Sequence, residues 1–159
     1  MPRIGITGHR GFDPKTSKLV DEALRDVLSA YDPHGLVGVT CLADGADAIF
    51  AQAVLDRGGE IHVIIPAAEY REGFPAEYHP EFDRLLARAA DVQRLDFRES
   101  SSESHMEASR VMISDIAGLI AVWDGQPARG YGGTADIVAE ARRLDVPVKV
   151  VWPEGARRS

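Results

Sequence analysis

Six short apolar runs rich in β-branched residues are spaced along the chain, and longer amphipathic stretches separate them. The runs are 3–7, 36–40, 61–65, 91–95, 118–123 and 146–152. The stretches with apolar residues at helical spacing are 15–30, 45–57, 79–90, 104–115 and 133–144. Such an alternation predicts a parallel sheet covered by helices. We therefore expect an α/β fold, a three-layer sandwich with a mostly parallel sheet of about six strands and helices on both faces.

The length of the chain, 159 residues, is typical of one domain. Neither an internal repeat nor an interdomain linker interrupts the alternation of strands and helices. We predict one domain over residues 1–153 and a frayed tail over residues 154–159.

Charge and cysteine content restrict the expected partners and compartment. The formal net charge of −7 predicts no nucleic-acid partner, because non-specific binding comes from neutralising phosphates with Lys and Arg. The single cysteine, Cys41, is typical of a reducing compartment. No apolar run approaches the roughly 20 residues that span a bilayer, and the first residues lack the apolar core of a signal peptide. We therefore expect a cytoplasmic protein with no membrane partner.

The loops after the first two predicted strands contain glycines next to polar side chains. In "TGHRGF", Gly8 permits a tight turn, and His9 and Arg10 follow it, the arginine being suited to a phosphate. In "CLADGADAIFAQ", Gly45 lets a helix begin close to the sheet, and Asp47 can accept from a ribose hydroxyl. Both patterns also fit plain structural roles, a glycine turn and an aspartate helix cap.

The loop after the fifth predicted strand is the richest in glycine. In "WDGQPARGYGGTADIVAEA", Asp124 opens the loop, and Gly130, Gly132, Gly133 and Thr134 precede a helix. Main-chain amides around Gly132 to Thr134, together with the dipole of that helix, form a nest that can hold a phosphate without net positive charge. The loop lacks the GK[ST] of a P-loop and the G-x-G-x-x-G of dinucleotide-binding enzymes.

The three loops follow parallel strands, so they are expected at one sheet edge, where open α/β sheets bind ligands. We expect a shared ligand site there. Histidines lie in separate segments without metal-site spacing, so we predict no metal. We also expect no cofactor.

Four segments together resemble the Rossmann-like SMODS-and-LOG (SLOG) superfamily, which includes the Lonely Guy phosphoribohydrolases and the DNA-processing protein A family. They are "ITGHRGF", "GADAIFAQAVLDRGGEIHVIIP", "ISDIAGLIAVWDG" and "GYGGTADIVAEARRLDVPVKVV". The resemblance covers nearly the whole chain and is least supported between residues 66 and 100. It implies a nucleotide-like small-molecule ligand, with phosphate on the late glycine turn, and association into a homodimer or a higher homo-oligomer.

The hydrolase signature of the Lonely Guy enzymes, P-G-G-x-G-T-x-x-E, is altered in this chain. When its G-T is matched to Gly133 and Thr134, Ile137 stands where the glutamate belongs. The candidate catalytic residues are then the nearest carboxylates, Asp136 and Glu140, and a cation on the preceding helix, Arg110.

Two functions that use the ligand site remain open from the sequence, beside a third option, an interaction protein whose ligand site is vestigial. The first is a sensor or carrier that binds a nucleotide or a nucleotide-derived ligand. The alternative is a Lonely Guy-like hydrolase of the N-glycosidic bond in nucleoside 5′-monophosphates, so enzyme activity is left undecided.

Overall fold

The computed structural model describes residues 2–158 and contains six strands in one sheet. The strands are β1 Arg3–Gly8, β2 Val37–Thr40, β3 Glu60–Ala67, β4 Asp91–Phe97, β5 Gly118–Val122 and β6 Val148–Val151. Their spatial order is β4-β3-β2-β1-β5-β6, and each neighbouring pair is parallel. The predicted six-stranded parallel sheet is thus confirmed.

Five α-helices cover the sheet. They are α1 Pro14–Leu28, α2 Ala46–Asp56, α3 His79–Ala87, α4 Ser102–Ile113 and α5 Thr134–Arg143. One apolar core joins the sheet to α1, α2 and α3, and a second joins it to α4 and α5, so the helices lie on both faces. This confirms the predicted three-layer architecture.

Local sequence explains where several helices begin. Asp13 caps α1 by accepting from the Thr16 amide at 2.7 Å, with Pro14 at the first position. A capping box starts α4, in which Ser101 Oγ accepts from the Ser104 amide and Ser104 Oγ accepts from the Ser101 amide. The Ser-rich segment before α4 therefore holds the helix start in place.

The sheet topology creates a switch point between β1 and β5. After β1 the chain builds outward through β2, β3 and β4, then returns to place β5 on the other side of β1. The loops after β1 and β5 consequently leave toward opposite faces of the sheet, which opens a crevice at the carboxyl ends of the strands.

Residues 152–158, which follow β6, contact α1 and the loop after β1. The Arg157 amide donates to the buried Thr16 hydroxyl at 3.0 Å, and the Trp152 ring lies edge-on to His9. None of the helices in residues 2–158 has the length and apolar character needed to cross a bilayer.

Candidate functional site

A cavity of about 310 Å³ lies in the crevice at the carboxyl ends of β1, β2 and β5. Its wall brings together segments that are far apart in the sequence. The polar and aromatic wall residues are Thr7, His9, Arg10, Cys41, Asp47, Tyr70, Phe74, His105, Ser109, Arg129, Thr134 and Arg158. The prediction that the three glycine-bearing loops lie at one sheet edge is thus reproduced by the geometry.

Gly8 and Gly45 allow the loop after β1 to pack against the start of α2. A Cβ on Gly8 would lie 2.5 Å from the Ala46 Cβ, and one on Gly45 would lie 2.7 Å from the His9 carbonyl oxygen. Gly45 also has φ of +110° and forms an isolated antiparallel bridge with Arg10. Gly8 lines the cavity and Gly45 does not. The role of Gly45 is to let the loop after β1 lie close to the start of α2.

Asp47 is the buried carboxyl group of the cavity wall. Its Oδ2 accepts from the Ala43 amide at 3.2 Å, and the residue is 8% exposed. Burial raises the pKa of Asp47 to about 7, although the Ala43 hydrogen bond and the charge of Arg10 act in the opposite direction. Near neutral pH this group can therefore either donate a proton to a ligand or accept a hydrogen bond from one.

Arg10 and an aromatic cluster form the side of the cavity next to Asp47. The Arg10 Nε donates to Asp44 Oδ1 at 2.6 Å, and the guanidinium carbon lies 4.8 Å from the centre of the Phe74 ring. Tyr70 packs edge-on against both Phe74 and His105, with ring centres 4.8 Å and 5.5 Å apart. This side of the cavity thus presents aromatic rings together with one guanidinium group.

The late glycine turn is held together by its own amides. The Gly132 amide donates to Asp136 Oδ2 at 2.9 Å, and the Gly133 amide donates to the Gly130 carbonyl at 3.3 Å. These two amides therefore do not form the predicted anion nest. The physical reason is local competition, since an acid in the first helical turn reaches back to an amide that precedes the helix.

Two amides at the start of α5 differ from those of Gly132 and Gly133. Thr134 and Ala135 begin α5, and neither amide has an acceptor within residues 2–158. Both amides stand at the positive end of the helix dipole. Thr134 lines the cavity, and so does Arg129 from the same loop.

His9 and Asp124 join the loops after β1 and β5. His9 Nε2 lies 3.1 Å from Asp124 Oδ1 and 3.3 Å from the Asp124 amide. Burial lowers the pKa of His9, against the effect of its hydrogen bond with Asp124. His9 lines the cavity and Asp124 does not, so Asp124 makes its contacts with other residues of the protein.

The three residues predicted as catalytic lie outside the cavity wall. Asp136 accepts from the Gly132 amide, Glu140 pairs with Arg143 at 2.6 Å, and Arg110 contacts Glu107 and the Tyr131 hydroxyl. The charges of Arg110 and Glu140 each act on the pKa of the other, so these two residues lie near each other but off the cavity wall.

Of the residues predicted to bind ligand, seven lie on the wall, namely Gly8, His9, Arg10, Asp47, Gly132, Gly133 and Thr134. Gly45, Asp124 and Gly130 do not. Sequence reasoning missed several wall residues, namely Tyr70, Phe74, His105, Ser109, Arg129 and Arg158. Arg129 offered a signal, since it adjoins the glycine turn, but the aromatic residues and Arg158 did not.

No protein-family model and no curated protein matches this chain in sequence. The fold is similar to that of DNA processing protein A from Streptococcus pneumoniae, with a TM-score of 0.66 and 17% identity over 94% of this chain and 50% of that one. DNA processing protein A from Helicobacter pylori, which binds single-stranded DNA, has a TM-score of 0.68 and 17% identity over 99% of this chain and 68% of that one. The molybdenum cofactor carrier protein from Chlamydomonas reinhardtii has a TM-score of 0.59 and 16% identity over 94% of this chain and 75% of that one.

These likenesses confirm the Rossmann-like fold that the four motifs predicted. This chain spans half the length of the Streptococcus pneumoniae protein. The expectation that nucleic acid is excluded as a partner is wrong, because a protein of this fold binds single-stranded DNA. A net charge of −7 describes the whole chain and does not describe the local charges of a site.

Proposed function

We propose that this chain binds a mononucleotide, or a nucleotide-derived ligand of similar size, as a sensor or a carrier. The observation that carries the proposal is a cavity wall that combines arginines and a helix start with aromatic rings and a buried carboxyl group. We assign the phosphate to Arg129, Arg158 and the start of α5, called here the phosphate end, and the base to Asp47, Tyr70 and Phe74, called here the base end. A nucleotide combines the same two chemistries, an anionic phosphate and a planar, uncharged base.

The size of the cavity favours one nucleotide unit. Its volume of about 310 Å³ is at the lower end of the range of ligand pockets, which extends from about 300 to 1,000 Å³. A dinucleotide would need a longer groove. The absence of a P-loop lysine also argues for binding of a phosphate by arginine and backbone amides.

The base end offers contacts that match a purine or pyrimidine ring. Phe74 and Tyr70 present apolar surface, and Ser109 and Asp47 add polar groups to the same wall. Protonated Asp47 can donate to a ring nitrogen, and ionised Asp47 can accept from an exocyclic amine or a ribose hydroxyl.

The test is binding of AMP, CMP, GMP and a short single-stranded oligonucleotide, measured by calorimetry and by thermal denaturation. A nucleotide at about 100 times its dissociation constant should stabilise the fold by about 2.7 kcal/mol. Arg129→Ala should weaken the binding of AMP. The matched control is Arg142→Ala, which removes the same charge from the exposed face of α5.

The outcomes separate the candidate ligands. Binding of mononucleotides supports the proposal, whereas binding of the oligonucleotide alone would replace it with a nucleic-acid site. If none of the four compounds binds, or if both arginine variants bind equally well, the assignment of this cavity fails.

A second candidate is hydrolysis of the N-glycosidic bond of a nucleoside monophosphate. The observation that favours it is Asp47, a cavity carboxyl whose pKa of about 7 suits general acid or base catalysis. Release of free adenine from AMP, lost in Asp47→Asn, would support this reaction. Adenine release that persists in Asp47→Asn but disappears in Asp136→Asn would favour Asp136, the carboxylate nearest to the position of the signature glutamate.

A further inference from the structure

Residues 152–158, called here the terminal segment, pack across α1 and reach the cavity. Trp152 contacts the rings of His9 and Phe12, with ring centres 5.5 Å and 6.3 Å apart. A turn follows, and the Arg157 amide then donates to the Thr16 hydroxyl at 3.0 Å. Because the segment is held at these two points, the next residue, Arg158, is directed into the cavity wall.

The Arg158 side chain is largely buried, yet its guanidinium is poorly paired. It is 14% exposed, and only its Nη1 has protein partners, Asp124 Oδ2 at 3.7 Å and the Pro127 carbonyl oxygen at 3.5 Å. Both distances are long for a charge-assisted hydrogen bond. The other N–H groups have no acceptor within residues 2–158.

A guanidinium in this position is suited to an anion. It carries five N–H donors in a fixed fork, which fits the oxygens of a phosphate. Burial of a charge is unfavourable unless the charge is paired, and Asp124 alone compensates it weakly at 3.7 Å. An anion in the cavity would supply the missing acceptors.

We propose that Arg158 binds the phosphate of the ligand, so that the terminal segment supplies a wall of the binding site and is held more firmly when the ligand is bound. This inference rests on the proposed function, since it concerns the phosphate end of the same cavity. Asp124 acts as a positioning residue, because it keeps the guanidinium at the cavity through a long ion pair.

The experiment compares AMP, inorganic phosphate and adenosine as ligands of the wild type and of Arg158→Ala, Arg158→Lys and Arg157→Ala. Arg157 is exposed and adjacent, and its side chain is not part of the wall, so its removal is a matched control for charge. We expect Arg158→Ala to weaken the binding of AMP by about 10- to 100-fold, which is the usual effect of losing a hydrogen bond to a charged group. Adenosine affinity should stay unchanged, and Arg158→Lys should restore part of the AMP affinity.

Hydrogen exchange adds a readout of the terminal segment itself. AMP should slow exchange of the amides of residues 154–158 in the wild type and in Arg157→Ala, and should not do so in Arg158→Ala. Circular dichroism establishes that each variant is folded.

The possible failures are distinguishable. If the wild type binds none of the three ligands, the proposed function fails and this inference fails with it. If the wild type binds AMP but Arg158→Ala matches Arg157→Ala in affinity and exchange, only the role of Arg158 is refuted. An equal loss of affinity for adenosine and for AMP would show that Arg158 maintains the shape of the cavity, and would overturn its role in phosphate binding.

Discussion

Replacement of Asp47 by asparagine should remove a large part of the dependence of folding stability on pH. The Asp47 carboxyl group is buried, and burial raises its pKa from 3.8 to about 7. The folded state therefore holds this proton more tightly than the unfolded state does. Between these two pH values the free energy of unfolding of the wild type should decrease as the pH rises, because the unfolded chain releases the proton first.

The magnitude follows from the two pKa values. One pKa unit is worth about 1.4 kcal/mol, so the span from 3.8 to about 7 corresponds to about 4 kcal/mol. Asparagine keeps an oxygen for the Ala43 amide and has no proton to release. The difference in unfolding free energy between Asp47→Asn and the wild type should thus increase by about 4 kcal/mol between about pH 4 and pH 8.

The assay is urea denaturation of both proteins at several pH values in that range. His9 and His105 have lowered pKa values through burial, and their effect on stability has the opposite sign. Subtracting the two curves removes their contribution. Asp26→Asn, on the exposed face of α1, is the control for loss of one acid, and its curve should parallel that of the wild type. Parallel curves for the wild type and Asp47→Asn would refute the reasoning.

Two further predictions concern packing and helix capping. Gly8→Ala should lower the stability by about 1–3 kcal/mol, because its Cβ would lie 2.5 Å from the Ala46 Cβ. Gly130→Ala is the control, since its Cβ would meet nothing within 4 Å, and equal melting temperatures for the two variants would contradict this account. Ser101→Ala should cost about 0.5–2 kcal/mol by removing the acceptor of an amide in the first turn of α4. The exposed Ser102→Ala should cost less in the same urea titration, and a reversed order would argue against the capping box.

The fold could be predicted from the sequence because its apolar runs leave few alternatives. A short β-branched run such as 61–65 is buried on both sides, and the β3 residues Val63 and Ile65 indeed lie in one core while Ile64 lies in the other. The segment from 66 to 78 could not be predicted. Its short 3₁₀ turns have no hydrophobic periodicity, and contacts with α3 and α4 decide where Tyr70 and Phe74 point.

The location of the cavity was predictable, and its details were less so. Glycines after parallel strands indicate the sheet edge where α/β folds bind ligands, and Gly8 and Gly132 line the cavity at that edge. Which amides are available depends on side-chain competition that glycine spacing does not reveal, as the bond from Gly132 to Asp136 illustrates. The position of Arg158 depends on the hydrogen bond that holds its neighbour Arg157 to Thr16, 141 residues before Arg157 in the chain.

The placement of β5 beside β1 has a consequence for how the molecule assembles. The two strands meet in register at Ile4 with Gly118 and at Gly8 with Val122, more than a hundred residues apart in the sequence. The portion β1 to β4 and the later portion β5–β6 are therefore joined along the pairing of β1 with β5, and residues of both portions line the cavity. A molecule bound there would contact both portions, so β1 and β5 could separate only after its release. Because residues of both portions line the cavity, the site is complete only once both portions have docked.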